Sequence, residues 1–244
     1  MSERTDLLQL KDKILDSAIP QHIAVIMDGN GRWAKSKNKI RTFGHVAGVK
    51  SLKKTIKACL DVNVTYLSVY AFSLENWKRP LEETSFLMKL LIKILKEEAK
   101  NLCSQEVRVR IIGNKKSLDK DVIKEIEKIE SSTKTFNKLN LNIMLNYGSR
   151  QEILHCLKKI ASSHTSLQEL TEADITNNLF TSELPDPDIL IRSGGEKRIS
   201  NFMLWQLSYA ELFFIDKLWP DVSEIDILNI ILDYQNRNRR FGGL

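Results

Sequence analysis

The chain has 244 residues, enough for one α/β domain with a sizeable core, and its composition is ordinary for a globular protein. Its net charge of +6 favours anionic partners, but the basic residues are scattered and no nucleic-acid-binding motif is present. Three widely spaced cysteines, four histidines without zinc-ligand spacing and a charged N-terminus argue against a disulfide framework, a zinc site and a signal peptide, which favours a cytoplasmic protein.

Apolar periodicity predicts helices alternating with strands along the chain. In chain order we expect a helix at about 5–17, a strand at 23–27, a helix at 44–61, a strand at 66–72, a helix at 81–100, a strand at 107–112, a helix at 118–134, a strand at 141–146, helices at 150–161 and 167–179, strands at 188–192 and 211–215, and a helix at 223–236. The first helix is amphipathic and is expected to pack on the domain.

This alternation predicts an α/β fold with a mostly parallel central sheet of about six strands, flanked by helices. We expect a single domain over residues 1–244, in which the N-terminal helix precedes a catalytic core at about 21–243. No apolar run approaches the ~20 residues that a membrane-spanning helix needs.

A short motif ends the first predicted strand. Asp28 is followed by the turn Gly29-Asn30-Gly31, and Arg32 and Trp33 then open a helical stretch. A carboxylate, a glycine-rich turn and an arginine at the end of a strand suit a site for Mg²⁺ and phosphate. An ordinary strand-to-helix turn with a surface aspartate would explain the same residues, and the motif alone does not decide between them.

Polar residues also follow the other predicted strands. Asp28, Ser73, Asn146 and Arg192 each lie at or just after the end of a strand. Ligands of parallel α/β sheets bind beyond the carboxyl ends of the strands. We therefore expect these four residues to converge on one edge of the sheet.

Five segments together resemble the cis-prenyltransferases, and most closely the bacterial undecaprenyl diphosphate synthases. The segments are His22–Trp33, Arg41–Gly48, Tyr70–Pro80, Asn146–Gly148 and Arg192–Phe214. They occur in the family's order and spacing, and the resemblance covers roughly residues 21–243. The sequence has neither the DDxxD motif of the all-helical trans-prenyltransferases nor a P-loop.

The resemblance implies a Mg²⁺-dependent transferase that condenses isopentenyl diphosphate units onto an allylic diphosphate, with farnesyl diphosphate as the expected primer. The implied product is a long-chain polyprenyl diphosphate, expected to be undecaprenyl diphosphate, which carries cell-wall sugars in bacteria.

The resemblance also implies roles for individual residues. Asp28 would be the Mg²⁺ ligand and the central catalytic carboxylate, and Glu211 would be a second metal-linked carboxylate. Asn76 matches a position assigned as proton acceptor, but a neutral amide is a weak base, so orienting a water or the leaving diphosphate suits it better.

The implied substrate-binding residues fall into groups. Gly29, Asn30, Gly31 and Arg32 would cradle the allylic diphosphate, with Arg41 and His45 assisting. Arg192, Arg198 and Ser200 would hold the diphosphate of isopentenyl diphosphate, because arginine binds phosphate oxygens in bidentate fashion. Ser73, Glu75, Trp77 and Arg79 would lie on a mobile segment that contacts substrate. Trp33, Leu74 and Ile199 complete the implied set.

Two features bear on partners. Lys197 stands where the bacterial pattern commonly has histidine, and the tail from Arg239 to Gly243 matches a part of the family that lies near a dimer interface. The resemblance therefore implies a homodimer, and a product of this kind implies peripheral contact with the inner face of the membrane for its release.

Other interpretations remain open from the sequence. A non-catalytic partner subunit of the same fold would share the segments, although such subunits lose the metal carboxylate and the phosphate ligands. A nucleic-acid-binding protein is suggested only by the pI of about 9.1. Taken singly, most of the candidate residues would also suit surface charges or core aromatics.

Overall fold

Six parallel strands form the centre of the structure, a computed structural model that describes residues 2–162 and 167–237. In chain order they are β1 (His22–Ile26), β2 (Tyr66–Ser73), β3 (Val107–Ile112), β4 (Leu139–Tyr147), β5 (Ile189–Arg192) and β6 (Glu211–Phe214). Their order across the sheet is β3-β4-β2-β1-β5-β6, and every neighbouring pair is parallel. The prediction of a mostly parallel sheet of about six strands is confirmed.

Eight α-helices within the described residues flank this sheet. They are α1 (Ser2–Leu15), α2 (Asn30–Ser36), α3 (Arg41–Asp61), α4 (Leu81–Ser104), α5 (Lys120–Thr133), α6 (Ser149–Ser162), α7 (Glu172–Asn178) and α8 (Glu224–Gln235). Short 3₁₀ turns occur at Leu74–Lys78, Lys115–Ser117, Leu167–Glu169 and Trp219–Asp221. The tail from Arg239 to Gly243, which implied a homodimer, lies outside the described residues.

Both faces of the sheet are covered, and β1 shows this best. Ile23 and Val25 belong to the larger core, which also contains buried residues of α3, α4, α5 and α8. Ala24 and Ile26 belong to a smaller core on the other face, together with Phe202. Successive strand residues point to opposite faces, so a strand that is buried on both sides is apolar throughout.

β4 is longer than its apolar pattern predicts. It begins at Leu139, two residues before the predicted start, because polar side chains are buried within it. Asn140, which precedes the predicted start at 141, is buried and donates a hydrogen bond from its side chain to the carbonyl oxygen of Thr65 at 3.3 Å. A buried amide with a partner interrupts the apolar pattern without interrupting the strand.

Several helices also differ from their predicted limits, including α1, which spans Ser2–Leu15 where about 5–17 was predicted. α3 begins at Arg41, three residues early, and α4 continues to Ser104, four residues beyond the predicted end, because Leu102 in its last turn is buried. The helix predicted over 167–179 is a 3₁₀ turn followed by α7, whose N-cap Thr171 accepts a hydrogen bond from the backbone N–H of Asp174.

α1 packs on the domain, as its amphipathic pattern predicts. Ile14 is fully buried, and Lys11 Nζ lies 2.5 Å from Asp61 Oδ2 on α3 and 2.6 Å from Glu224 Oε1 on α8. Gln235 donates a hydrogen bond to the carbonyl oxygen of Ile14 at 2.9 Å. None of the helices within residues 2–162 and 167–237 is long and apolar enough to cross a membrane.

A glycine brings α3 against the turn that follows β1. A Cβ atom on Gly44 would lie 1.9 Å from the backbone oxygen of Asn30, so no larger residue fits there. The close approach places Arg41 and His45, on the first turns of α3, beside the turn that contains Asp28.

His22, at the amino end of β1, has a fully buried ring that forms hydrogen bonds with β2 and with the loop before β5. Its Nε2 lies 2.7 Å from Ser68 Oγ, and its Nδ1 lies 2.7 Å from the carbonyl oxygen of Pro185. Burial disfavours the charged ring and lowers the pKa of His22 from 6.5 to about 4.

We therefore predict that the free energy of unfolding decreases as the pH falls from 6.5 towards 4. The unfolded chain binds a proton on His22 in this window and the folded chain does not, so the stabilisation present above pH 6.5 is lost, by up to about 3 kcal/mol. Urea unfolding between pH 7 and pH 5 measures the slope. His22→Gln should flatten it, while His45, which titrates in the same direction, remains in both proteins. Equal slopes in the two proteins would contradict this role of His22.

Candidate functional site

A cleft of about 690 Å³ opens at the carboxyl edge of the sheet. Thirteen of the predicted site residues line it: Asp28, Gly29, Asn30, Gly31, Arg32, Arg41, His45, Ser73, Glu75, Asn76, Arg79, Arg192 and Ser200. They come from the ends of β1, β2 and β5 and from the segments that follow, so the expected convergence of Asp28, Ser73 and Arg192 is observed. Asn146, the fourth residue expected to converge there, does not line the cleft; its Oδ1 accepts a hydrogen bond from Trp77 Nε1 at 2.7 Å.

Asp28 is the most strongly constrained carboxylate in the cleft. Its Oδ2 lies 2.8 Å from Arg192 Nη2, and its Oδ1 accepts the backbone N–H of Gly29 at 2.6 Å and lies 3.4 Å from Arg32 Nη2. Burial by itself would raise the pKa of Asp28, but the hydrogen bond and charge of Arg192 outweigh it and lower the pKa. The group is therefore an anion at neutral pH.

The backbone after Asp28 requires glycine. Gly29 has φ +102°, in the left-handed region, and a Cβ atom there would also lie 2.8 Å from a side-chain carbon of Leu218. The turn that follows leads directly into α2, and Ser193 Oγ accepts the backbone N–H of Asp28 at 3.0 Å. The position of the carboxylate is thus fixed from β1, from the turn and from β5.

Arg192 links Asp28 to the segment after β5. Its Nη1 donates to Ser200 Oγ at 2.7 Å and to the backbone oxygen of Arg198. Ser200 and Asn201 have φ angles of 48° and 62°, which are unusual for residues other than glycine. Backbone of this kind persists where surrounding contacts enforce it, and it is concentrated at functional sites.

A second carboxylate, Glu83 on α4, contacts three basic side chains at the edge of the cleft. Its oxygens lie 3.0 Å from Arg41 Nε, 3.3 Å from His45 Nε2 and 3.0 Å from Arg79 Nη1. Burial would raise the pKa of Glu83, but hydrogen bonds from Arg41 and His45 outweigh it and lower the pKa. Sequence reasoning missed Glu83, which lies three residues beyond the matched segment Tyr70–Pro80; the one signal was its spacing of four residues from Arg79.

Burial lowers the pKa of His45, an effect that its hydrogen bond to Glu83 opposes and the charges of Arg79 and Arg41 reinforce. The imidazole is therefore neutral at pH 7. It can donate or accept a hydrogen bond without adding a full charge to the cleft.

The segment predicted to be mobile forms a 3₁₀ turn with defined contacts. The backbone N–H of Ser73 donates to Asn76 Oδ1 at 3.2 Å, and Trp77 Nε1 donates to Asn146 Oδ1 at 2.7 Å. Asn201 donates to Glu75 Oε1 at 2.9 Å, which joins this segment to the strained backbone after β5. Asn76 lines the cleft, and its side-chain Oδ1 already accepts the hydrogen bond from Ser73.

Six predicted residues do not line the cleft. Trp33 stacks on Phe43 at 6.0 Å between ring centroids, and Ile199 packs on the smaller core. Arg198 is exposed and pairs with Glu196. The other three are Leu74, Trp77 and Glu211.

Glu211 lies away from Asp28 within this chain. It is the first residue of β6 and pairs in register with Ile189, whereas the rim residue Arg192 pairs with Phe214. At about 3.3 Å per strand residue, Glu211 is roughly 10 Å from the carboxyl edge. Its carboxylate lies 2.7 Å from Arg237 Nη1. The structure therefore does not bring the two predicted metal carboxylates together in one chain.

A buried polar network behind the cleft was also missed. Glu152 on α6 is fully buried; its Oε2 accepts hydrogen bonds from Tyr147 Oη at 2.5 Å and from Gln206 Nε2 at 3.0 Å. Burial raises the pKa of Glu152. Through Gln206, the network connects α6 to the segment between β5 and β6, which also contains Ser200. In the sequence, Glu152 looks like an ordinary acidic residue in the first turn of a helix.

An apolar cavity of about 130 Å³ continues inward from the cleft, between α3 and α4. Val49, Leu52 and Leu91 are among its walls. Five residues line both spaces: Met27, Asn30, His45, Ala71 and Leu87. A cationic cleft thus leads directly into an apolar cavity, a combination that suits a ligand with an anionic head and a hydrocarbon tail.

The residues present fit Mg²⁺ in a restricted way. Mg²⁺ at phosphate sites binds through one or two carboxylates together with substrate phosphates, and Asp28 is an ionised carboxylate of that kind. Among residues 2–162 and 167–237, no three His, Cys, Asp or Glu side chains are grouped closely enough to hold a metal ion. The site therefore suits an ion shared with a bound diphosphate and not a closed protein metal site.

Known proteins are similar to this chain in sequence and in fold. The model of the undecaprenyl diphosphate synthase family (Prenyltransf) matches residues 26–242. The isoprenyl transferase of Fusobacterium nucleatum subsp. nucleatum is 47% identical over 230 residues, which are 94% of this chain and 99% of that protein. The isoprenyl transferase of Thermotoga maritima is 47% identical over 93% of this chain and 98% of its own.

Two solved structures have the same fold. Lavandulyl diphosphate synthase from Lavandula x intermedia, in complex with dimethylallyl diphosphate, has a TM-score of 0.89 and 33% identity, over 92% of this chain and 99% of that chain. A probable undecaprenyl diphosphate synthase from Campylobacter jejuni has a TM-score of 0.79 and 36% identity, over 93% of this chain and all of that one. This chain belongs to the undecaprenyl diphosphate synthase family of prenyltransferases and is a transferase enzyme.

Proposed function

We propose that this enzyme is a Mg²⁺-dependent cis-prenyltransferase that adds isopentenyl diphosphate units to an allylic diphosphate, with farnesyl diphosphate as primer and undecaprenyl diphosphate as product. The observation that carries the proposal is the continuity between the cationic cleft and the apolar cavity, which share five lining residues. Family membership supports prenyl transfer, and the complex of the lavender enzyme with dimethylallyl diphosphate supports an allylic diphosphate as substrate.

In this reaction the allylic diphosphate leaves, a carbon–carbon bond forms and a proton is lost. Asp28 would hold Mg²⁺, which would stabilise the charge that develops on the leaving diphosphate. Arg32, Arg41 and His45 would orient the same group from the two sides of the Gly29–Gly31 turn. Asn76 would orient the group that accepts the proton.

Arg192, Arg198 and Ser200, together with Ile199, would hold isopentenyl diphosphate. Ser200 Oγ is within 2.7 Å of Arg192 Nη1, and the guanidinium fork of arginine binds phosphate oxygens in pairs. Because Arg192 also contacts Asp28, it would connect the sites of the two substrates. Ser73, Leu74, Glu75, Trp77 and Arg79 would contact substrate from the 3₁₀ turn, and Trp33 from α2.

We also propose that the enzyme is a cytoplasmic homodimer. A joint role for Asp28 and Glu211 on one metal ion would need Glu211 from a second copy, because the two lie apart within one chain. The non-catalytic alternative is disfavoured, since Asp28, Arg32, Arg41 and Arg192 are not only retained but converge on one cleft.

Mass spectrometry of products formed from farnesyl diphosphate, isopentenyl diphosphate and Mg²⁺ should show a long polyprenyl diphosphate. Asp28→Asn should lower turnover at least about a hundredfold, as expected when one preorganised electrostatic group is lost, while circular dichroism stays unchanged. Asp12→Asn, at an exposed aspartate on α1, is the matched control and should retain full turnover. Near-normal turnover of Asp28→Asn would refute the role of Asp28.

The two proposed diphosphate sites predict a crossed pattern of kinetic effects. Arg198→Lys should raise the KM for isopentenyl diphosphate about tenfold and leave that for the allylic primer nearly unchanged, because lysine keeps the charge but loses the fork. Arg41→Lys should do the reverse. Steady-state kinetics with each substrate varied in turn would decide, and equal effects on both substrates would contradict separate sites.

The apolar cavity predicts control of product length. Each five-carbon unit gains roughly 3–4 kcal/mol on full burial, at ~0.8 kcal/mol per CH₂, so elongation should continue until the available space is filled. Val49→Phe narrows the cavity and should shorten the main product while the first condensation survives. Val46→Phe, one turn earlier on the exposed face of α3, is the matched control and should leave product length unchanged. Identical products from the two variants would show that this cavity does not receive the chain.

A further inference from the structure

We propose that the corner between α2 and α3 docks on the surface of an anionic lipid bilayer. This corner comprises residues 35–46 and lies beside the cleft, since Arg32 precedes it and Arg41 and His45 are part of it. This docking surface rests on the proposed function and extends it, because a bilayer next to the cleft is where a polyprenyl product would be delivered.

The first observation is the distribution of charge. The stretch from Gly29 to Leu60 contains nine of the 37 basic residues of the chain and none of its 31 acidic residues. On α3, Lys53 and Lys57 are neutralised by Glu98 at 2.6 Å and Asp61 at 2.7 Å. Five exposed lysines of the stretch form no ion pair with the described part of the chain: Lys35, Lys37, Lys39, Lys50 and Lys54.

The second observation is that apolar side chains protrude between these lysines. Ile40 is 76% exposed, and Phe43 and Val46 are 46% and 45% exposed. The spacing of three residues places Phe43 and Val46 on one side of α3, directly after Ile40. Leu81, at the start of α4, is 79% exposed and is held near this corner because Glu83 pairs with Arg41.

A bilayer surface fits this combination better than a nucleic acid does. Surfaces that bind lipid place apolar side chains at the level of the headgroups and surround them with lysines, whose long stems keep their charges in the anionic layer. Phosphate-backbone binding requires the charges but leaves exposed Ile40, Val46 and Leu81 without a partner.

The position of the corner on α3 adds a third reason. Val46 faces outward, whereas Gly48 and Val49 line the apolar cavity that is proposed to hold the growing chain. Because Val46 and Val49 are three residues apart, the proposed docking surface and the proposed hydrocarbon site are neighbouring surfaces of the same helix. Docking at this corner would leave the cleft open at the bilayer surface.

Flotation of the full-length protein with lipid vesicles, without substrate, tests the proposal. The wild-type protein should bind vesicles of equal parts phosphatidylglycerol and phosphatidylcholine at least about tenfold more strongly than vesicles of phosphatidylcholine alone, and salt should weaken the binding. No preference for the anionic vesicles would overturn the proposal. Because the assay measures no catalysis, its result is independent of the elongation assay on which the proposed function depends.

Two triple variants locate the charge. Lys35→Gln, Lys37→Gln and Lys39→Gln together should weaken binding to anionic vesicles at least about tenfold. Lys120→Gln, Lys124→Gln and Lys128→Gln together remove three exposed lysines of α5 and give the same net charge, so they should have little effect. Equal losses in the two triple variants would show that only net charge matters and would overturn the assignment to this corner.

A matched pair of isoleucines tests insertion into the bilayer. Ile40→Ser should weaken vesicle binding severalfold, and serine suits the N-cap position that Ile40 occupies on α3. Ile225→Ser, at an isoleucine that is 41% exposed on α8, should not weaken it. If Ile40→Ser has no effect and a short mixed-sequence RNA displaces the protein from vesicles, the corner is a nucleic-acid surface and the proposal fails.

Discussion

The ion pair between Asp28 and Arg192 joins the carboxyl ends of β1 and β5, and the charge arrangement of the cleft depends on it. The side chain of Arg192 is only 5% exposed. A guanidinium in that position is tolerated because Asp28, Ser200 and a backbone carbonyl oxygen accept hydrogen bonds from it. The charge of Arg192 keeps the Asp28 carboxyl ionised, and Asp28 is the proposed metal ligand beside the glycine turn. Loss of Asp28 would leave the buried guanidinium of Arg192 without a counter-ion, and loss of Arg192 would leave Asp28 with only the more distant Arg32, at 3.4 Å. The two strand ends therefore form one functional unit.

The basic groups of the cleft are already ordered around carboxylates. Arg192 and Arg32 contact Asp28, and Arg41, His45 and Arg79 contact Glu83. Side chains held in this way lose little further conformational freedom when an anion binds, which lowers the entropic cost of binding. An entering diphosphate must, however, compete with the carboxylates for the same donors. Because a diphosphate carries more charge than one carboxylate, the exchange favours the substrate, and a cleft with two such clusters suits a reaction that brings two diphosphates together.

The local patterns predicted the strands and the convergence of Asp28, Ser73 and Arg192, because strand ends and turns are encoded over a few residues. Glu83 and Glu152 were missed because burial of a carboxylate depends on partners that are distant in sequence. For Glu211 the two kinds of prediction disagreed. The resemblance implied a metal shared with Asp28. The strand predicted at 211–215, however, placed Glu211 at the start of a parallel strand, whereas Asp28 follows the end of one. Parallel strands carry those two positions to opposite edges of the sheet.

The geometry of α3 and α4 constrains how a growing chain would be accommodated. The cavity between them, about 130 Å³, is similar to the ~150 Å³ cavity that admits one benzene, so it holds about one five-carbon unit in this conformation. A longer chain requires the two helices to separate. Ion pairs join them on either side of the cavity, at Arg41–Glu83 beside the cleft and at Lys53–Glu98, which are 2.6 Å apart, about three turns further along α3. Between these two ion pairs the contacts of α3 with α4 are apolar. A prenyl chain that separates the helices replaces these contacts with its own, so the apolar area that the helices lose is buried again at about the same free energy per unit area. Separation of α3 and α4 is therefore least costly between the two ion pairs, and these pairs limit how far along the helices the separation extends.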